Sequence, residues 1–154
     1  MKKVLLVLGL SIFLITGCGN KITHVEGNME DLMSKVYEGF EQQDLPMMLG
    51  NIELTEENKT AYIGEADIKY EEALASESGI GSIAHSVVLI RMGKDVTEEQ
   101  IESAKKELKE KVDPRKWICV EVEEVKVESN GDLILVVLND KIGDTLIENF
   151  KKIK

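Results

Sequence analysis

The sequence predicts an α+β sandwich: a four-stranded mixed antiparallel sheet, a split β-α-β unit plus a hairpin, packed against three main helices. Three observations carry this. Thr97-Glu98-Glu99-Gln100 is a capping box that opens an amphipathic helix between two strand-like runs. Asn130-Gly131, a hairpin signal, precedes the continuously apolar Leu133–Leu138. Apolar stripes at helical spacing stand at both ends of the region after residue 27.

The first segment is not part of that fold. Met1-Lys2-Lys3 is cationic, and Val4 to Ile15 is apolar apart from Gly9 and Ser11. Twelve residues are too few for a stable bilayer crossing, which takes about 20, but they suit the apolar stretch of an export signal. The run ends in Ile15-Thr16-Gly17-Cys18, which looks like the lipobox of bacterial lipoproteins. In those proteins the cysteine thiol receives a diacylglyceryl group, and the chain is cut just before it. Cys18 is thus the expected lipid attachment site. Two or three acyl chains anchor a protein stably where one is marginal. Residues 1–17 are then the signal peptide, 18–27 the lipidated cysteine with a polar tether, and 28–154 a single domain.

In chain order, Met29, Leu32, Met33, Val36 and Phe40 mark a first helix, with Asn28 at its N-cap and a fade before Leu45-Pro46. Thr55-Glu56-Glu57-Asn58 announces a short helix closed by Gly64. Ile68–Ala75 reads as a strand with Ile68, Tyr70 and Leu74 on one side. Ser76–Ser82 reads as a Gly/Ser loop, and Ile83–Arg91, with Val87-Val88-Leu89-Ile90, as an interior strand. The capped helix carries Ile101, Ala104, Leu108 and Val112 and stops at Asp113-Pro114. Trp117–Glu128 alternates, but its parity flips between Val122 and Val125, which predicts a bulge near Glu123-Glu124. Leu133–Leu138 is expected to be central and covered on both faces. Ile142, Leu146, Ile147, Phe150 and Ile153 mark the last helix, with Lys151, Lys152 and Lys154 at its electronegative end.

Composition bounds the function. The chain has 154 residues, 43% hydrophobic and 31% charged, as expected of one globular domain. Without residues 1–17, 137 residues remain, and the formal charge moves from −10 to −12 because Lys2 and Lys3 leave. Such a surface repels nucleic acid and anionic headgroups, and with only Arg91 and Arg115 as arginines no polyanion-reading role is expected. Export also removes the chain from cytoplasmic nucleotide pools, so neither nucleotide nor other cofactor is expected. With Cys18 acylated, Cys119 has no partner for an intramolecular disulfide and is expected to be buried.

No constellation carries recognisable catalysis. Gly79-Ile80-Gly81-Ser82-Ile83-Ala84 has the G-x-G-x-x-A spacing of dinucleotide sites, yet it precedes a strand rather than opening a helix, so a hairpin loop is the better reading. His85 and Cys119 are a conceivable base and nucleophile, but an acidic chain does not offer the electropositive setting that activates a thiol. Two scattered histidines and one thiol do not build a zinc site. Glu128, Asn130 and Asp132 begin like a calcium loop, but Leu133 and Asn139 occupy its glycine and terminal glutamate positions. Two apolar features stand out in loops: Leu45-Pro46-Met47-Met48-Leu49, and Trp117, the only tryptophan. They either plug the core edge or form a partner patch of Pro46, Met47, Met48 and Trp117.

The lipobox, Leu45-Pro46-Met47-Met48, Asp67–Ala75, Ala84–Arg91, the capped helix to Val112 and Gly131-Asp132 together resemble a family of small Gram-positive bacterial lipoproteins catalogued as a domain of unknown function. The resemblance spans nearly all of the chain after the signal. It implies a helix-then-sheet layout and a Gram-positive cell surface, and it transfers no catalytic residue. The leading expectation is a non-enzymatic, extracytoplasmic, lipid-anchored interaction module whose partner is another envelope protein. A small-ligand or ion sensor gated by Ser76–Ser82 is second, and a hydrolase third.

Overall fold

Two runs with almost no polar side chain set the middle of the fold. In the computed structural model, which describes residues 22–154, every residue of Ser86–Arg91 (β3) and Leu133–Leu138 (β5) is buried, and the two strands lie side by side. The expected signal peptide and lipobox, with Ile15, Thr16, Gly17 and Cys18, lie outside the described residues. Glu72–Ser78 (β2) pairs with the other edge of β3, and Leu49–Glu53 (β1) pairs with β2. Lys126–Asn130 (β4) closes the far side on β5. The sheet order is β1-β2-β3-β5-β4. Each hydrogen-bonded neighbour is antiparallel, so the sheet is antiparallel and not mixed, with five strands where four were expected. β3 and β4 run parallel with β5 inserted between them, which is the split β-α-β arrangement.

Four helices cover the two faces. Leu74, Val87, Leu89, Leu133, Leu135 and Val137 point to one side, where they meet the helices Met29–Val36 (α1) and Gly143–Lys152 (α4). Ala73, Ala75, Val88, Ile90, Ile134 and Val136 point to the other, packing on the helices Thr60–Ile63 (α2) and Glu98–Lys111 (α3). Helices on both faces explain why β3 and β5 show no polar alternation although the sheet is antiparallel. No helix among the described residues is long and apolar enough to cross a membrane.

The expected helix ends form where side chains fix the backbone. Asn28 caps α1 through Asp31 N–H, and Thr97 with Gln100 forms the reciprocal capping box of α3. Gly64 closes α2 at φ +63, where a Cβ would lie 2.0 Å from Lys111 O.

Other expectations are corrected. β1 was missed because LGNIE is short, shows no apolar alternation and is almost wholly exposed; it is a strand through its backbone bonds to β2. β2 begins at Glu72, and Leu74 faces the α1 side while Ile68 and Tyr70 pack on the α3 side. Ser76 and Ser78 are buried in β2, so the loop is confined to Gly79–His85. The strand expected over Trp117–Glu128 exists only from Lys126. The parity flip is not a bulge: Val122 and Val125 both turn into the α3-side core, while Glu123 N–H is held by the Asp140 carboxylate. The hairpin loop is Gly131-Asp132, one residue later than the Asn-Gly reading, with Asn130 paired to Leu133.

Residues 23–27, expected as tether, form an arm docked on the end of the sheet where β3 finishes and β5 begins. Asp132 N–H donates to Thr23 O, and Val25 N–H donates to the Asp132 carboxylate at 2.9 Å. Arg91 Nη1 and Nη2 donate to the carbonyls of Val25 and Gly27, each at 2.7 Å. Arg91 and Asp132 are 4% and 1% exposed, so these bonds act with little competition from water. Gly131 admits the arm: it has φ +56, and a Cβ there would lie 2.3 Å from Thr23 O.

Candidate functional site

The opposite end of the sheet gathers three of the four exposed large apolar side chains among the described residues. β2 and β3 are joined there by Gly79–His85, and two other loops fasten onto this connection. Ser78 Oγ donates to Met47 O at 2.8 Å, and Gly79 N–H donates to Met48 O. Ile118 N–H donates to Gly81 O, and its side chain lies over the bare Cα of Gly81. With their backbones held this way, Met47, Met48 and Ile118 stand 68%, 72% and 73% exposed.

Met48 and Cys119 are the two non-glycine residues with positive φ among the described residues, +54 and +64. Such a conformation costs about 1 kcal/mol or more for a residue with a Cβ. Both positions adjoin exposed apolar side chains, so backbone strain and apolar exposure coincide at this end.

The members of the sequence-derived patch separate here. Met47 and Met48 are exposed and Pro46 is half-buried, but Trp117 turns inward. Its indole Nε1 donates to Glu77 Oε1 at 3.1 Å. Lys116 Nζ binds Glu77 Oε2 at 2.8 Å and lies over the Tyr62 and Trp117 rings at 4.6 and 5.5 Å. Trp117 thus fastens its loop to β2, and Ile118 takes its place at the surface.

Cys119 and His85, the conceivable nucleophile and base, stand in unlike settings. Cys119, expected to be buried, is exposed and lies outside any strand. His85 is fully buried, with both ring nitrogens engaged: Asn139 Nδ2 donates to Nδ1 at 3.0 Å, which leaves Nε2–H to donate to Tyr37 Oη at 2.8 Å. Asn139 Oδ1 in turn accepts from the amides of Lys141 and Ile142. Burial pushes the imidazole pKa down to about 4, so the ring is neutral at pH 7. Burial also raises the Tyr37 phenol above its usual range, opposed by a hydrogen bond with Ser76. This chain of polar groups, between α1 and the sheet, holds loops in place.

The other candidate ligands are likewise engaged. Asn130 Nδ2 donates to the carbonyls of Phe150 and Ile153, and Asp132 serves the arm and His24. Gly79–Ala84 leads into β3, so no helix N-terminus stands behind its glycines. A cavity of about 450 Å³ beside this loop is lined by Pro46, Ile83 and Val122 together with Asp44, Glu121 and Asp140.

Sequence reading missed Ile118, hidden in an apparent strand, and the arm lock of Arg91 and Asp132. An arginine ending an apolar interior strand was the available signal for the lock. No protein-family model matches the chain, and no match was found among the curated proteins or the solved structures.

Proposed function

We propose that this protein is an extracytoplasmic lipoprotein, anchored through lipid on Cys18, that acts as a non-enzymatic interaction module of a Gram-positive cell envelope, with another envelope protein as partner. Ile15-Thr16-Gly17-Cys18 behind a short apolar run supports the anchor, as does the likeness to small Gram-positive lipoproteins drawn from the motifs above. The observation that carries the interaction reading is the exposed set Met47, Met48 and Ile118, raised on strained backbone at the end of the sheet remote from the arm.

The arm favours this arrangement. Only residues 19–22 separate Cys18 from the docked segment, about 14 Å when fully extended. The strands add about 20 Å between the arm end and the Met47 end. A membrane holding Cys18 therefore faces the arm end, and the apolar set is presented outward, to protein rather than lipid.

The test is photocrosslinking in intact cells, comparing the native chain with Met47→Asp/Met48→Asp and with Trp117→Phe. The proposal expects the double variant to lose the crosslinked species and Trp117→Phe to keep them. Identical patterns from all three would remove the apolar set from the account.

A further inference from the structure

The Met47 end continues into a strand edge that no other strand covers. Met48 O accepts from Gly79 N–H and Leu54 N–H donates to Ala73 O, so within the ladder Gly50 and Ile52 turn their backbone groups toward β2. Leu49, Asn51 and Glu53 therefore turn their N–H and C=O groups outward, where the Glu53 carbonyl already accepts from Asn58 Nδ2 at 3.0 Å. β1 lacks proline and lysine, two of the devices that ordinarily blunt an edge, and Asn58 caps it only at the Glu53 carbonyl. On the α2/α3 face Ile52 is 38% exposed, and Gly50 leaves a notch, with no atom within 4 Å of where its Cβ would stand. The opposite edge strand, β4, is half-buried throughout and flanked by α3 and α4.

The charge around this edge selects the occupant. Residues 41–58 contain Glu41, Asp44, Glu53, Glu56 and Glu57 and no lysine or arginine, and Glu30 reaches the edge by accepting from Asn51. We infer that β1 accepts an extended, basic segment of another protein as a sixth strand. Its backbone would pair with Leu49, Asn51 and the N–H of Glu53, its lysines or arginines would meet Glu30 and Glu53, and one apolar side chain would fill the notch between Met48 and Ile52.

A second copy fits poorly. Antiparallel β1–β1 pairing needs a two-fold axis normal to the sheet, which sends the two arms to opposite ends and away from a shared membrane. Copies anchored side by side instead bring Glu53 against Glu53. This exclusion rests on the anchoring proposal; the chemistry of the edge does not.

The test is amide exchange by NMR on the full chain in neutral detergent micelles, titrated with the peptide Lys-Val-Lys-Val-Lys-Val or with Glu-Val-Glu-Val-Glu-Val. At about ten times its Kd the basic peptide should slow exchange about tenfold at Leu49, Asn51 and Glu53, without a matching change at Gly50 and Ile52. The acidic peptide should do nothing. Asn51→Pro removes an outward N–H and should abolish the protection; Glu53→Lys, at an exposed position, should weaken it. Absence of slowing, equal slowing by both peptides, or unaltered slowing in both variants would overturn the inference. None of these outcomes depends on whether Cys18 carries lipid, so a failed anchor and a failed edge are told apart.

Discussion

Acidification should destabilise this protein through one buried ring. His85 is completely shielded, and its neighbours Tyr37, Asn139 and Ser76 carry no charge at neutral pH, so an imidazolium there would have no counter-ion. The unfolded chain takes up this proton near pH 6.5 and the folded chain only near 4. Between those values the unfolded state binds more protons, so stability is full above about pH 6.5 and falls as pH drops. At about 1.4 kcal/mol per pH unit, the loss from this group by pH 4 is about 3 kcal/mol. Urea unfolding at a series of pH values measures it, with His85→Gln as the reference that cancels titration of the surface carboxylates. Native minus variant stability should fall by about 3 kcal/mol from pH 7 to pH 4. A constant difference would mean that the ring is charged or solvated in the native state, which would refute the buried relay.

Other perturbations read the remaining parts of the account. Arg91→Met leaves Asp132 buried with only His24 and the arm amide as partners; it should cost about 3 kcal/mol and expose Glu26 to glutamyl endopeptidase under native conditions. Gly131→Ala meets both the positive φ and the Thr23 carbonyl and should cost about 2 kcal/mol or more, visible as a lowered Tm. Cys119 should react with Ellman's reagent in the folded protein without denaturant. Cys119→Gly, by relieving the left-handed backbone, should leave stability unchanged or raise it by up to about 1 kcal/mol in thermal melts.

Elements were legible in the sequence where short-range chemistry decides the backbone. The Thr97–Gln100 box, the Asn28 cap and the apolar β3 and β5 each state their structure within a few residues. β1 was illegible because nothing in LGNIE is apolar at alternate positions; its pairing depends on β2, more than twenty residues away. Trp117–Val125 misled for the opposite reason. Its alternation places Val122 in the core, but the Trp117–Glu77 bond and the positive φ of Cys119 take the chain off any ladder. The same limits apply to the site. Met47 and Met48 were visible as an anomalous apolar run, whereas Ile118 becomes an exposed group only through its bond to Gly81, and the arm lock joins residues from three distant stretches.

The proposed anchor at Cys18 would fix which end of the domain faces lipid and which faces outward. Metabolic labelling with radioactive palmitate in a Gram-positive host, comparing the native chain with Cys18→Ser, tests it most directly. The account predicts label in the native protein, none in the variant, and release of the variant from the membrane fraction. Absence of label from the native chain, or identical fractionation of the two proteins, would contradict it.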